Sequence, residues 1–209
     1  MIQFEKLPFN VGNTWMTSDI HGFHKNIAKG SSTWEEDHSS SCRDFKNEIE
    51  MTEHIVNQIN KYVKEDDLLI NCGDWSFGGK GNIFTLRNMI KCKNIILIQG
   101  NHDHNITNSN DQEGLFYDFQ QIGYYQVDHI KFVTCHYPMS IWHQSHKDVP
   151  LFYGHVHGSF KNVGKSLDVG IDNIFNLTGE YKPISLVEAD KIARSNKTFL
   201  ESHHQKNTN

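Results

Sequence analysis

Thiol chemistry has little to work with in this chain. Four cysteines are scattered over 209 residues, at Cys42, Cys72, Cys92 and Cys135, and no two form a CxxC pair. That usage points to a reduced, cytoplasmic setting. Cys72 and Cys135 close strand-like runs, where a cysteine behaves as a small buried hydrophobe. Long apolar stretches are missing as well: none approaches the roughly 20 residues needed to cross a bilayer. The opening residues MIQFEKLPFNVGNTW lack the basic start and apolar core of a secretion signal, so no membrane partner is expected. Positive charge is short too, with 20 Lys and Arg against 25 Asp and Glu and a net charge of −5. That balance speaks against duplex DNA, which calls for a basic face to neutralise phosphates. A small anionic substrate stays open, because metal ions supply positive charge locally. Neither an internal repeat nor a convincing linker divides the chain. The expectation is a single domain over residues 1–190, then a mobile polar tail over 191–209 that ends in ESHHQKNTN.

Histidine, by contrast, is abundant, at 14 residues. Five short β-like runs each end in polar residues of chemical interest: TWMTS before Asp19, DLLINC before Gly73-Asp74, NIILIQ before Gly100-Asn101, IKFVTC before His136, and LFY before Gly154-His155. An α/β fold builds its site in this way, on loops beyond strand ends. Between the runs, FKNEIEMTEHIVNQINKYVK (45–64) repeats apolar residues every three or four positions at Phe45, Ile49, Ile55, Ile59 and Tyr62, with a polar exception at Thr52. That spacing predicts an amphipathic helix packed on a sheet. NIFTLRNMIKC (82–92) predicts a shorter one, and residues 122–188 read as strand-rich, through YYQVDHIKFVTC, LFYG, SLDVGI and PISLVEA. GSSTWEEDHSSSC (30–42) reads as a surface loop or lid.

In LFYGHVHG (151–158), His155 and His157 stand two apart, so an extended segment turns both imidazoles to one side. Alone, such a pair is better explained by hydrogen-bonded histidines than by a metal. With Asp19-Ile20-His21, Gly73-Asp74, Gly100-Asn101-His102-Asp103 and His136, the chain offers a set of oxygen and imidazole donors without a thiolate. That mixture suits manganese, iron or zinc rather than a structural thiolate zinc site.

The ordered blocks D-x-H, G-D, G-N-H-D, a lone His and G-H-x-H resemble those of the calcineurin-like metallophosphoesterases, and the resemblance spans residues 13–188. SDIHGFHKNI (18–27), GDWSFGG (73–79) and LDVGID (167–172) look like blocks of the family's small phage and bacterial branch. The resemblance implies an α/β four-layer sandwich: two mixed β-sheets face to face, helices outside, and a dinuclear metal site at the carboxyl ends of the strands. It assigns Asp19, His21, Asp74 and His157 to a first ion, and Asn101, His136 and His155 to a second, with Asp74 as the bridge. Two divalent ions are implied, manganese foremost, with iron, zinc, nickel or cobalt as alternatives, and a metal-bridging hydroxide as the nucleophile. His102 resembles the family's general acid. Asp103 either orients that imidazole or caps the turn.

The protein phosphatases of the family carry Asp-Arg-Gly after the G-D block; here WSFGGKGN follows, without an arginine. Arg43, at the expected start of the long helix, is the candidate replacement as a phosphate seat, against the reading of a solvated arginine. His24 is either a pocket residue or a helix-surface histidine, and Asn101 also faces the substrate with a neutral amide. His104, His129, His143 and His146 carry no assigned role. The expected substrate is a small phosphomonoester or phosphodiester, a nucleotide or cyclic nucleotide foremost. The alternatives are single-stranded nucleic acid ends, for which Trp34, Trp75 and Trp142 offer stacking surfaces, and a non-catalytic metal-binding protein. A cyclic amidohydrolase barrel also carries His-x-His, but 209 residues are short for it.

Overall fold

Sheet registers decide where the functional loops emerge. The computed structural model describes residues 2–28, 43–107 and 114–197. The expected loop at 30–42 and the end of the chain therefore lie outside the described residues.

One sheet runs in the order β10 (Ile184–Ser185), β2 (Thr14–Thr17), β3 (Leu68–Asn71), β4 (Asn94–Ile98) and β5 (Asp118–Gln120), all parallel except β10. Thr17 pairs with Asn71, and Asn71 with Leu97. That alignment delivers Asp19, Asp74 and Asn101 at the same edge. The other sheet runs β1 (Glu5–Lys6), β6 (Ile122–Val127), β7 (Ile130–Cys135), β8 (Leu151–Tyr153) and β9 (Ser166–Asp168). Here β6 and β7 form an antiparallel hairpin, while β7, β8 and β9 are parallel. His136, His155 and His157 follow β7 and β8 at the matching edge. Both sheets are thus mixed, as expected.

The sheets face each other through one apolar core. Met16, Leu68, Ile70 and Ile96 from the first meet Tyr125, Phe132, Phe152 and Leu167 from the second. On the outer face of the first sheet, Leu69, Ile95 and Leu97 pack against α2 (Glu48–Tyr62) and α3 (Lys80–Met89). On the outer face of the second sheet, Val133, Leu151 and Tyr153 are covered by Trp142 and Val149 of the segment after β7, which contains one short 3-10 turn.

Local chemistry corrects several boundaries. The long helix starts at Glu48 because Asn47 caps it, accepting hydrogen bonds from the amides of Ile49 and Glu50. Its buried face is Met51, Thr52, Ile55, Val56 and Ile59, and Ile49 is exposed. Thr52 breaks the apolar stripe for a reason: its hydroxyl takes the amide of Phe23 at 2.8 Å, tying the helix to the loop after β2. Two stretches expected as strand contain helices, α5 (Ile171–Thr178) and α6 (Leu186–Ser195). Residues 191–197 are therefore not tail: Ala193 is fully buried in the core between the sheets, and the boundary at 190 falls inside α6. Two four-residue helices, α1 (Lys25–Ala28) and α4 (His104–Thr107), follow the site loops. Among the described residues, no helix is long and apolar enough to cross a membrane.

Candidate metal centre

The loops that carry the ligand candidates turn sharply. Asp19, His21, Asp74, His155 and His157 all have left-handed backbones, with φ of 55°, 48°, 57°, 73° and 48°. A side-chain-bearing residue adopts this region at a cost of about 1–3 kcal/mol, and such residues cluster at functional sites. The cost is offset by cross-loop bonds: the Asp19 amide donates to the Gly73 carbonyl at 2.9 Å, and the His21 amide to that of Asp74 at 3.0 Å. The His155 amide donates to the Asp19 carboxylate at 3.0 Å. Glycine permits the close approaches. A Cβ on Gly100 would strike the amide nitrogen and carboxylate of Asp74, and one on Gly154 would strike Ser18 and the Asp19 carboxylate.

The side chains converge in two overlapping groups. Asp74 Oδ2 lies 3.4 Å from His21 Nε2 and 3.5 Å from His136 Nε2, between the two groups, as a bridging carboxylate would. Asp19 Oδ1 lies 3.9 Å from both His21 Nε2 and His157 Nε2. On the other side, Asn101 Oδ1 is 3.0 Å from His136 Nε2 and 2.9 Å from His155 Nδ1. Among the described residues, every cluster of three ionisable donors close enough to share an ion lies here. The structure thus brings all seven ligand candidates together.

Two observations test whether this set fits divalent cations. His21 is 2% exposed, yet neither ring nitrogen has a hydrogen-bond partner, an expensive omission unless a ligand completes it. His136 Nδ1 faces the Cys72 carbonyl at 2.9 Å and so donates to it, which in the neutral ring leaves the Nε2 lone pair aimed at oxygens of Asp74 and Asn101. With the Asn101 amide oxygen turned inward, acceptors face acceptors, and a cation resolves the repulsion. The residues fit the pair of ions that the resemblance implies. Burial, with His157 and Arg43 nearby, holds His21 well below its ordinary pKa and therefore neutral. Burial and the Asp19 charge push Asp74 upward. For His157 burial works against protonation, but the hydrogen bond to Asp172 and the Asp19 charge outweigh it and raise it to about 9.

Two expectations are corrected. Arg43 is 1% exposed and seats no phosphate; it lies before the helix and is fully engaged by Asp172 and by the carbonyls of Asp19 and Ile20. Asp103 does not orient His102. Its carboxylate accepts from the backbone amides of Asp74, Trp75 and Gly100 at 2.8, 2.9 and 2.8 Å, which makes it a cap for two ligand turns. Burial pushes Asp103 up to about 6, with those amides pulling the other way.

His102 is half-buried, with its ring 5.3 Å from that of His21, and its amide donates to Asp74 Oδ1 at 2.9 Å. His24 is half-buried as well, tilted against Phe77 with ring centroids 4.2 Å apart, with Nδ1 accepting from the Ile27 amide. Both line a cleft of about 370 Å³ with His21, Phe77, Asn101 and His155. A groove of about 720 Å³ beside α2 and α3, lined by Asn60, Lys64 and Arg87 among others, is larger but gathers no ligand set.

Trp75 and Trp142 are buried and offer no stacking surface; Trp34 lies outside the described residues. The exposed rings near the ligands are instead Phe77 and Tyr137, 43% and 47% exposed, with Tyr137 4.6 Å from the His155 ring. Sequence reasoning also missed Asp172, whose Oδ2 takes the Nδ1–H of His157 at 2.7 Å. The signal was the LDVGID block, noted without a role for its last residue.

The family model for calcineurin-like phosphoesterases matches residues 12–207. The chain belongs to that family. Its chemistry is metal-dependent hydrolysis of phosphoesters, and the family together with the Asp and His clusters indicates a dinuclear divalent-metal site. No curated protein matches the chain. Its fold is similar to that of a solved protein of unknown function from Aquifex aeolicus, with a TM-score of 0.58 and 18% identity over 86% of this chain and 98% of that one. A looser likeness, with a TM-score of 0.40 and 16% identity over 70% of this chain and 61% of that one, is to nuclease MPE of Pseudomonas putida.

Proposed function

We propose that this calcineurin-like phosphoesterase hydrolyses a small phosphoester, a nucleotide or cyclic nucleotide in the first place, with manganese as the preferred metal. The observation that carries the reading is the convergence of seven ligand candidates in two groups with Asp74 between them, and His102 on the wall of the same cleft. Asp19, His21, Asp74 and His157 would hold one ion, and Asp74, Asn101, His136 and His155 the other. When bound, such a pair lowers the pKa of a water and offsets charge on the phosphoryl oxygens.

The protein's own groups do the rest. Asn101 contributes a neutral amide, so the wall facing an anionic substrate gains no further negative charge. His102 is the proposed proton donor to the leaving oxygen, from an imidazole held at the cleft by its amide bond to Asp74. His24 and Phe77 in the cleft wall, and the exposed Tyr137 beside His155, supply aromatic surface suited to a nucleobase. The compact cleft supports a small substrate, and the mixed oxygen and nitrogen donor set supports manganese. Free, buried thiols at Cys72, Cys92 and Cys135 are in keeping with a cytoplasmic setting.

A panel of mono-, di- and cyclic phosphoesters with added manganese tests this reading. Turnover of nucleotide esters above that of simple alkyl esters is the expected result. Full turnover in excess chelator after dialysis would rule it out.

A further inference from the structure

Arg43 and Asp172 form a buried clamp whose contacts reach one half of the metal site only. Burying a guanidinium costs several kcal/mol unless its donors find acceptors. Here the fork is bidentate on Asp172, with Nε 2.8 Å from Oδ1 and Nη2 2.9 Å from Oδ2. The remaining N–H groups reach the Ile20 carbonyl at 2.8 Å and the Asp19 carbonyl at 2.5 Å. Those carbonyls belong to the turn that holds Asp19 and His21 in left-handed backbone. Through Asp172, the same pair takes the Nδ1–H of His157 at 2.7 Å and leaves Nε2 facing Asp19 Oδ1. One ion pair therefore joins the loop after β2 to the loop after β8, which come from opposite sheets.

The other half is held differently. His136 leans on the Cys72 carbonyl, and Asn101 meets His136 and His155. None of the hydrogen bonds described for Arg43 or Asp172 reaches these three residues.

We infer that Arg43 and Asp172 are positioning residues for the first metal position, so that the affinities for the two ions rest on separable supports. The inference depends on the dinuclear reading above. Neither residue is itself a ligand: both oxygens of Asp172 are engaged, and Arg43 has no lone pair to offer. A carboxylate behind a metal-binding imidazole fixes the ring and strengthens its donor nitrogen, and losing it typically costs about 10–100-fold in metal affinity. Arg43 in turn keeps that carboxylate from being a buried, unpaired anion.

The test uses the full chain, stripped by chelation and titrated calorimetrically with manganese alone. Two binding events are expected for the wild type. A single event would overturn the dinuclear reading, and this inference with it. Asp172→Asn should weaken one event by roughly 10–100-fold while leaving the other within about twofold. His136→Ala should weaken the opposite event, which assigns each event to its half. Arg43→Lys keeps a charge but not the fork, and should act on the same event as Asp172→Asn. Should Asp172→Asn lose cooperative unfolding in chelator, the folded Arg43→Lys protein decides. Two wild-type events that weaken equally, or not at all, in a folded variant overturn this inference alone. Failure of both variants to fold would assign the pair to global stability and also overturn it.

Discussion

At the residue scale, the donors were legible because their chemistry is written in side-chain type and order. Asp19-x-His21 and His155-x-His157 follow strand-like runs, and the fold brings both to one point. Burial was not legible. Nothing in SCRDF distinguishes a guanidinium in solvent from one walled in by Asp172, 129 residues away in sequence. Asp103 follows His102 and so looks like its partner, yet backbone amides claim its carboxylate. The role of His102 is tested most sharply by leaving group. His102→Ala should keep its metal and lose roughly 10²–10⁴-fold in turnover, the usual worth of a positioned acid. The loss should be largest for an alkoxide such as a ribose hydroxyl and shrink for a nitrophenolate, which needs no proton. Equal losses on both, measured with the metal content of the same samples, would contradict proton donation. Missing metal in the variant would make His102 a ligand, an outcome its closeness to His21 and Asp74 keeps in view.

At the element scale, the five strands that end at the site were legible from their apolar runs, and three of them from the glycine that follows, Gly73, Gly100 or Gly154. The helices after residue 168 were not. SLDVGI and PISLVEA are rich in β-branched and apolar residues, so they mimic strands; the chain in fact pairs briefly and then turns into α5 and α6. A cue for α6 was present in Ser185-x-x-Glu188, where the serine hydroxyl caps the Glu188 amide at 3.2 Å. Because Ala193 is buried against both sheets and Arg194 reaches the Asp148 carbonyl, truncation after residue 190 should destabilise the fold. A melting temperature unchanged by that truncation would show that α6 is dispensable. Glycine at the turns gives a second prediction. Gly100→Ala pushes a methyl into Asp74, so it should displace the bridging carboxylate and lower metal content and activity together. An alanine variant with two ions and full turnover would show that the turn relaxes freely.

At the scale of the whole molecule, the two facing sheets exist to bring two sets of strand ends to one cluster of buried ionisable groups, and that cluster sets how stability responds to pH. Burial and the Asp19 charge raise Asp168 to about 7, from 3.8. The metal-free folded protein therefore holds a proton that the unfolded chain releases, and stability falls as pH rises through that window. The raised pKa of His157, about 9 against 6.5, acts in the same direction: its contribution is complete below 6.5 and lost as pH rises through 9. Asp172, lowered to about 2, acts oppositely in acid, and the histidines that burial lowers, His21, His24 and His155, act oppositely up to about pH 6.5. In chelator, the melting temperature should fall from about pH 7 to about pH 9, where the Asp168 and His157 protons are lost, and added manganese should raise it most at the alkaline end, because metal ligands must be deprotonated. A metal-free melting temperature that climbs over this range would contradict the assignment. The central claim, two ions held around Asp74 for phosphoester hydrolysis, is tested most directly by titrating the stripped protein with manganese while following bound metal and turnover in the same samples. The account predicts that activity is absent without metal and levels off at two ions per chain, and that Asp74→Ala retains neither. A plateau at one ion, or turnover that persists with none, would contradict it.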